Sequence, residues 1–310
     1  MTLIIRKIIL YFIFIYSINY QNVLTQNNNL NTKNNFKKYI NILTSDSLEG
    51  REAGKEGSEK TANWLSNTFK QLNLQTCDTC LYEQTVNVIT CKGDTAYSKN
   101  ILGYIINNHY NNYNNWILIC AHYDHLGQGC KYSRSINQTK IHKGADDNAS
   151  GIAMLIEIAK SIQLLTNKKY NYIFAAFTGH ETGLWGSKFY TKHPTINYKN
   201  IDFVINLDML GRLDEKSNAL IMYASHDDIF TEIIKNTQTN LNIITKKNYI
   251  EGDHSIFETK DIHAVMFSTG IHDDYHTIND IPELINYNGM VEIKNFIINC
   301  IIQLENIKIN

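Results

Sequence analysis

WILICAHYDHLG, residues 116–127, is the stretch whose reading decides the fold. The apolar run from Trp116 to Ala121 has no polar break and stops at His122-Tyr123-Asp124. A short, uninterrupted run of this kind suits a strand covered on both faces, as in a parallel sheet. Ligands of open α/β sheets collect outside the carboxyl ends of the strands. A histidine and a carboxylate directly after such a run therefore stand where a site is expected.

The same arrangement recurs outward from it. Tyr172–Phe177 leads into His180-Glu181, Phe203–Leu207 ends on Asp208, and His263–Phe267 precedes a loop carrying Asp273, Asp274 and His276. Ile101–Ile106 and Ala219–Tyr223 are further strand-like runs. Helical patterns occupy Asn148–Leu165, Ile229–Thr239, Gly289–Ile307 and Gly57–Leu72, the last with Ala62, Leu65, Phe69 and Leu72 at helical spacing. Strands alternating with helices predict an α/β fold, a mixed and mostly parallel β-sheet sandwiched between helices. A fifth polar group comes from the glycine-bounded turn Gly144–Gly151, GADDNASG, just ahead of a helix.

Each of these residues has an ordinary reading on its own. A lone histidine after a strand is a surface or core residue, an aspartate before a helix, such as Asp146, is an N-cap, and Glu181 is a solvated first-turn residue. Their joint placement at one sheet edge favours a metal centre of His122, Asp147, Glu181, Asp208 and His276. Imidazoles with carboxylates are the usual zinc ligands of hydrolases, and a carboxylate's two oxygens can bridge two ions. Two hydrolase motifs are excluded. Leu184 occupies the second histidine position of an HExxH helix after His180-Glu181, and no Gly-x-Ser-x-Gly elbow stands at a strand–helix turn.

These segments resemble the zinc aminopeptidase family typified by bacterial leucyl aminopeptidases, a di-zinc exopeptidase clan. AHYDHLG from Ala121, GADDNASG from Gly144, TGHETGLWGS from Thr178, NLDMLGR from Asn206 and YHTINDI from Tyr275 carry the likeness, with LEGREAG from Leu48 upstream. It covers about residues 36–310. The resemblance implies a zinc-exopeptidase-like fold and hydrolysis of N-terminal residues from peptides by a water shared between two Zn2+ ions. It implies that His122 and Asp208 hold one ion, Glu181 and His276 the other, and that Asp147 bridges them. Asp124 would orient His122 from behind, and Asp253, His254 and Tyr275 would line the substrate pocket. The family has two adjacent glutamates at the third motif, the first serving as general base. Here that position is His180, which leaves three readings: an imidazole base, a catalytically impaired metal-binding homologue, or a different substrate. A glutaminyl-peptide cyclase with one zinc is the rival enzyme.

The bulk properties agree. The chain has 310 residues, 43% of them hydrophobic, enough for one large core. With 29 basic and 30 acidic residues the net charge is −1, and no basic patch points to a nucleic-acid partner. Arg6 and Lys7 precede an apolar run, Ile8–Ile18, that is short for a membrane span of about 20 residues. Residues 1–20 are thus expected to be a signal peptide or an uncleaved N-terminal anchor, 21–35 a linker, and 36–310 the catalytic domain. Export is the expected localisation, with membrane contact only through an uncleaved anchor. Cys77, Cys80 and Cys91 suggest a local disulfide in that compartment, and Cys120 a core position. Oligomeric state is not legible.

Overall fold

A computed structural model describes residues 28–76, 82–107, 115–135, 139–166, 168–224, 228–247 and 251–307. The apolar segment Ile8–Ile18 and the Cys77–Cys80 pair lie outside these residues. In chain order the elements are helices α1 (28–43) and α2 (Glu56–Gln71), strands β1 (Glu83–Ile89), β2 (Thr95–Ile105) and β3 (Trp116–His122), helix α3 (Gly151–Gln163), strand β4 (Asn171–Phe177), helix α4 (Trp185–Lys192), strands β5 (Ile201–Leu207) and β6 (Ala219–Tyr223), helix α5 (Asp228–Asn236), strand β7 (Asn242–Lys246), helix α6 (Asp253–Glu258), strand β8 (His263–Ser268) and helix α7 (Tyr287–Leu304).

The strands form one sheet in the order β1-β2-β4-β3-β5-β8-β6-β7. Its centre, β4-β3-β5-β8, is parallel throughout, and antiparallel pairs join it to β2 and β6. Alternation along β3 shows why its sequence is apolar on both faces. Ile117, Ile119 and Ala121 pack with α1, α2, α3, α5 and α7, while Trp116, Leu118 and Cys120 pack with Tyr190 of α4 and Phe257 of α6. A strand buried on both sides has no place for a polar residue until it ends. Among the described residues, no helix is long and apolar enough to cross a membrane.

Three sequence expectations need correction. Residues 28–35, expected as linker, are the opening turns of α1. Asparagine is a poor helix former, but Phe36, Ile40 and Leu43 recur at helical spacing and are buried. Burial of such side chains contributes about 1.5–3 kcal/mol each, more than local propensity costs. Cys91 is bonded to Cys130, across a sequence separation of 39 residues, and not to its near neighbours. The edge strands β1 and β7 have no strand signature in the sequence because β1 is half-exposed, β7 is mostly exposed, and both lack continuous apolar runs. Cys120 is fully buried, as expected.

Candidate metal centre

The chain visits β4 on one side of β3 and then β5 on the other. The crevice at the carboxyl ends of β3 and β5 is therefore the point where strand order reverses, the usual ligand position of an open sheet. His122 is the last residue of β3, and Asp208 follows β5 directly, with its N–H on the Phe267 carbonyl of β8. Both are buried.

The other polar groups arrive on loops. Glu181 lies in the turn between β4 and α4, and the Asp124 carboxylate accepts N–H groups of His180 (3.1 Å) and Glu181 (3.3 Å) there. Asp147 lies in a wide helical turn, Ala145–Ser150, ahead of α3. Asp280 accepts the N–H groups of Asp146 and Asp147 at 2.9–3.0 Å and so fixes that turn. Gly144 starts it at φ +54°, where a Cβ would stand 2.2 Å from the Asp147 carbonyl oxygen. No other residue fits there. Below, the buried Arg51 guanidinium donates to the carbonyls of Leu43, Tyr123, Lys143 and Gly144 and ties both ligand-bearing segments together. Burial lowers its pKa to about 10, and the carboxylates of Asp147, Asp280, Asp124 and Glu181 oppose that shift.

The five expected ligand residues converge. His122 Nε2 stands 3.3 Å from Asp147 Oδ1 and 3.5 Å from Asp208 Oδ1. His276 Nε2 stands 3.1 Å from Asp147 Oδ2 and 3.0 Å from Glu181 Oε2. The two oxygens of Asp147 thus face two separate imidazoles. Ligand atoms about 2.0–2.1 Å from a tetrahedral zinc are roughly 3.3 Å apart, which is the spacing seen here. Both Nε2 atoms are buried without a hydrogen-bond partner, as metal-directed lone pairs would be. Their Nδ1 atoms are occupied by carbonyls, of Asp124 for His122 (3.1 Å) and of Tyr132 for His276 (3.0 Å). The residues present therefore fit a zinc centre.

Burial alone would neutralise such carboxylates. Burial and Asp147 push the Glu181 carboxyl up, yet the hydrogen bond with His125 and the nearby His276 ring hold it down at about 2. Burial works against charge on His276 too, but Asp147 and Glu181 raise it to about 11. Asp124, held among these groups, is pushed up to about 6 by burial.

Around the centre the structure rearranges the expected roles. The Asp124 carboxylate is 3.8 Å from His122 Nδ1 and orients the His180–Glu181 turn, while its main-chain oxygen accepts the hydrogen bond of the imidazole Nδ1–H. Asp253 and His254, expected in the substrate pocket, are buried. Asp253 Oδ2 accepts from His180 Nδ1 at 2.9 Å. They sit on α6, which packs under the sheet, so the segment's pocket position belongs to Glu251 instead. Tyr275 does line the pocket and stacks on His276 with ring centroids 3.8 Å apart. His180 stacks on His122 at 3.8 Å, its Nε2 4.0 Å from Asp208 Oδ2.

Two cavities meet at the centre. The larger, about 380 Å³, includes Tyr132, His180, Glu181, Glu251 and His276 in its wall. The smaller, about 80 Å³, runs past Asp147 and Asp208 to Met209, Tyr223, Met266 and Ile271. Sequence reading missed His125, whose Nδ1 is 2.8 Å from Glu181 Oε1. Its signal was a second histidine three residues after His122 in the same motif.

A parallel-centred sheet with imidazoles and carboxylates along its carboxyl edge defines the zinc-exopeptidase class of fold. Residues 100–301 match the model of peptidase family M28, and the chain belongs to that family. It is similar to aminopeptidase YwaD of Bacillus subtilis, 30% identical over 105 residues, which are 34% of this chain and 20% of that protein. The chain spans about a fifth of the length of the curated relatives it matches. Its fold resembles that of the LapA aminopeptidase of Legionella pneumophila (TM-score 0.69, 21% identity, 89% of this chain and 72% of that one). It equally resembles the glutaminyl cyclase of Porphyromonas gingivalis (TM-score 0.70, 17% identity, 88% and 98%).

Proposed function

We propose that the protein is an exported zinc aminopeptidase that removes N-terminal residues from peptides at a two-ion centre. The observation that carries this reading is the division of Asp147, Oδ1 toward His122 and Oδ2 toward His276. One ion would be held by His122, Asp208 and Asp147, the other by Glu181, His276 and Asp147. When bound, such a pair lowers the pKa of a shared water and polarises the scissile carbonyl.

The chain's own residues supply the rest. Asp253 accepts the hydrogen bond of the His180 Nδ1–H, which leaves Nε2 as the acceptor facing the centre. His180 at that atom is the general base, and Asp253 balances the charge it gains. Among protein groups alone, burial and His122 lower the His180 pKa, but Asp253 and Asp208 raise it to about 9. With a cation on His122 and Asp208, the His180 imidazole would be held nearer neutrality, because a further positive charge beside it would be opposed. The small cavity lined by Met209, Tyr223 and Met266 suits the N-terminal side chain, and the larger one the rest of the peptide. The Cys91–Cys130 disulfide supports an oxidising, exported setting.

A panel of aminoacyl and peptide substrates, with and without chelator, alongside elemental analysis, tests this. Chelator-sensitive release of N-terminal residues with two zinc ions per chain is expected. One zinc with cyclisation of N-terminal glutamine would instead assign the cyclase reaction, which the second structural likeness supports. Zinc binding with no turnover would mark an impaired homologue.

A further inference from the structure

His276 differs from the other imidazole of the centre in what stands behind it. Its Nδ1 donates to the Tyr132 carbonyl at 3.0 Å, and that carbonyl belongs to a segment with no helix or strand, residues 126–135. The segment grips the His276 loop at two further points. Arg134 N–H donates to the His276 carbonyl (2.9 Å), and Ile278 N–H donates to Ser135 Oγ (3.1 Å). The start of the segment is anchored by backbone bonds of Gly127 to Gly50 and His142. Its far half, from Cys130 onward, is half-exposed. Among the described residues, and apart from its bonds to the His276 loop, it is tied by Ser133 Oγ against His142 Nε2 at 2.7 Å and, covalently, by Cys130 to Cys91. Cys91 is buried, lies in the turn of the β1–β2 hairpin, and donates its N–H to Glu52 Oε1 at 3.1 Å. A continuous path thus runs from the hairpin through the disulfide to the carbonyl that holds His276.

We propose that the Cys91–Cys130 disulfide is a positioning strut for His276, so that the redox state of this pair sets how tightly the Glu181/His276 half of the centre holds its ion. The inference rests on the metal-centre reading above. The physical reason is tautomer and orientation. A metal-binding imidazole keeps its distal Nε2 free because Nδ1–H is held by a fixed acceptor, and loss of such a partner costs roughly 10–100-fold in metal affinity. Opening the disulfide frees the far end of the segment that carries this acceptor. His122, whose acceptor is the main chain at the end of a central strand, is not affected.

The test compares three forms of the full chain loaded with zinc: the oxidised protein, the same protein after tris(2-carboxyethyl)phosphine, and the Cys91→Ser/Cys130→Ser variant. In the reduction one S–S bond breaks, the two sulfurs leave as thiols with protons from water, and the phosphine becomes its oxide. Zinc release to a chromogenic chelator and the zinc retained are followed, with far-UV circular dichroism as the check on folding. The expected result is that one ion leaves roughly 10–100-fold more readily in the reduced and variant forms, while the other stays and the circular dichroism is unchanged. If the variant does not fold, the reduced protein decides by the same measurement. Equal release from every folded form overturns the strut alone. Oxidised protein that takes up no zinc overturns the metal-centre reading, and the strut with it.

Discussion

His122 and Asp208 stand at the ends of β3 and β5, neighbouring strands in the parallel centre of the sheet. Glu181 and His276 ride on loops, and other loops hold them: the Asp124 carboxylate, His125, and the Tyr132 carbonyl. Asp147 lies between, with an oxygen toward each. One half of the centre inherits its geometry from a hydrogen-bonded sheet packed on both faces. The other half depends on individual polar contacts. The difference teaches that a candidate ligand set complete in type can be unequal in rigidity, and that the loop-borne half is where control of the proposed metal binding is to be sought.

The comparison breaks most completely at the residue both halves share. Asp147→Ala should deplete both ions, measured by elemental analysis, and reduce peptide hydrolysis to the chelator-treated background. Retention of one full ion would show that Asp147 does not bridge. Next comes His180, which touches both the His122 ring and Asp253. His180→Ala should cost roughly 10²–10⁴-fold in kcat with the zinc count unchanged, whereas His180→Glu should stay active. Wild-type turnover in His180→Ala would remove the base from the mechanism.

Stepwise extraction with a chelator sharpens the inequality. One ion should leave well before the other, and Glu181→Gln should abolish the early phase only. A single phase would mean that the two halves hold their ions equally.

Protonation gives a further test of the loop-borne half. His276 has a folded pKa of about 11, above its ordinary 6.5, so in zinc-free protein it stabilises the fold fully below pH 6.5 and loses that contribution as pH rises through about 11. Glu181 has a folded value of about 2, below its ordinary 4.5, so its contribution is full above pH 4.5 and is lost as pH falls through about 2. Chelator-stripped protein should therefore gain least from this pair at the two extremes. Zinc bound at this imidazole at pH 7 would displace its proton. Calorimetry in buffers of different ionisation enthalpy should show proton release, and its absence would mean that His276 is already neutral.

The smallest effect concerns the support beneath. Asp280→Ala leaves the N–H groups of Asp146 and Asp147 without their acceptor, which should cost about 1–3 kcal/mol in urea denaturation. A change in zinc affinity larger than that loss of stability would move Asp280 from fold support to control of the ligand turn.

The rigid half was also the more legible one. His122 could be placed because the apolar run of β3 breaks only at its end, and Asp208 because it follows a mostly apolar run, in which Asn206 is the buried polar exception. Asp147 was legible through its glycine-bounded turn, and Glu181 and His276 through position after a strand. Support groups were harder. Arg51 bonds only to main-chain oxygens, and such partners have no side-chain signature. Asp253 carried a pocket role in the sequence reading, but its orientation depends on how α6 packs beneath the sheet. Helix α1 was hidden by asparagines whose local preference was overruled by burial.

What the sequence by itself determined is the place of β2 to β6 and β8 along the chain and the chemical type of the groups that follow the central strands, since apolar runs and their polar endings are local properties. Which groups face one another was settled only in three dimensions. The division of the two Asp147 oxygens, the pairing of His180 with Asp253, and the link from Cys91 through Cys130 to His276 all join residues far apart in the chain. Their distances follow from sheet order and helix packing, which no local pattern encodes.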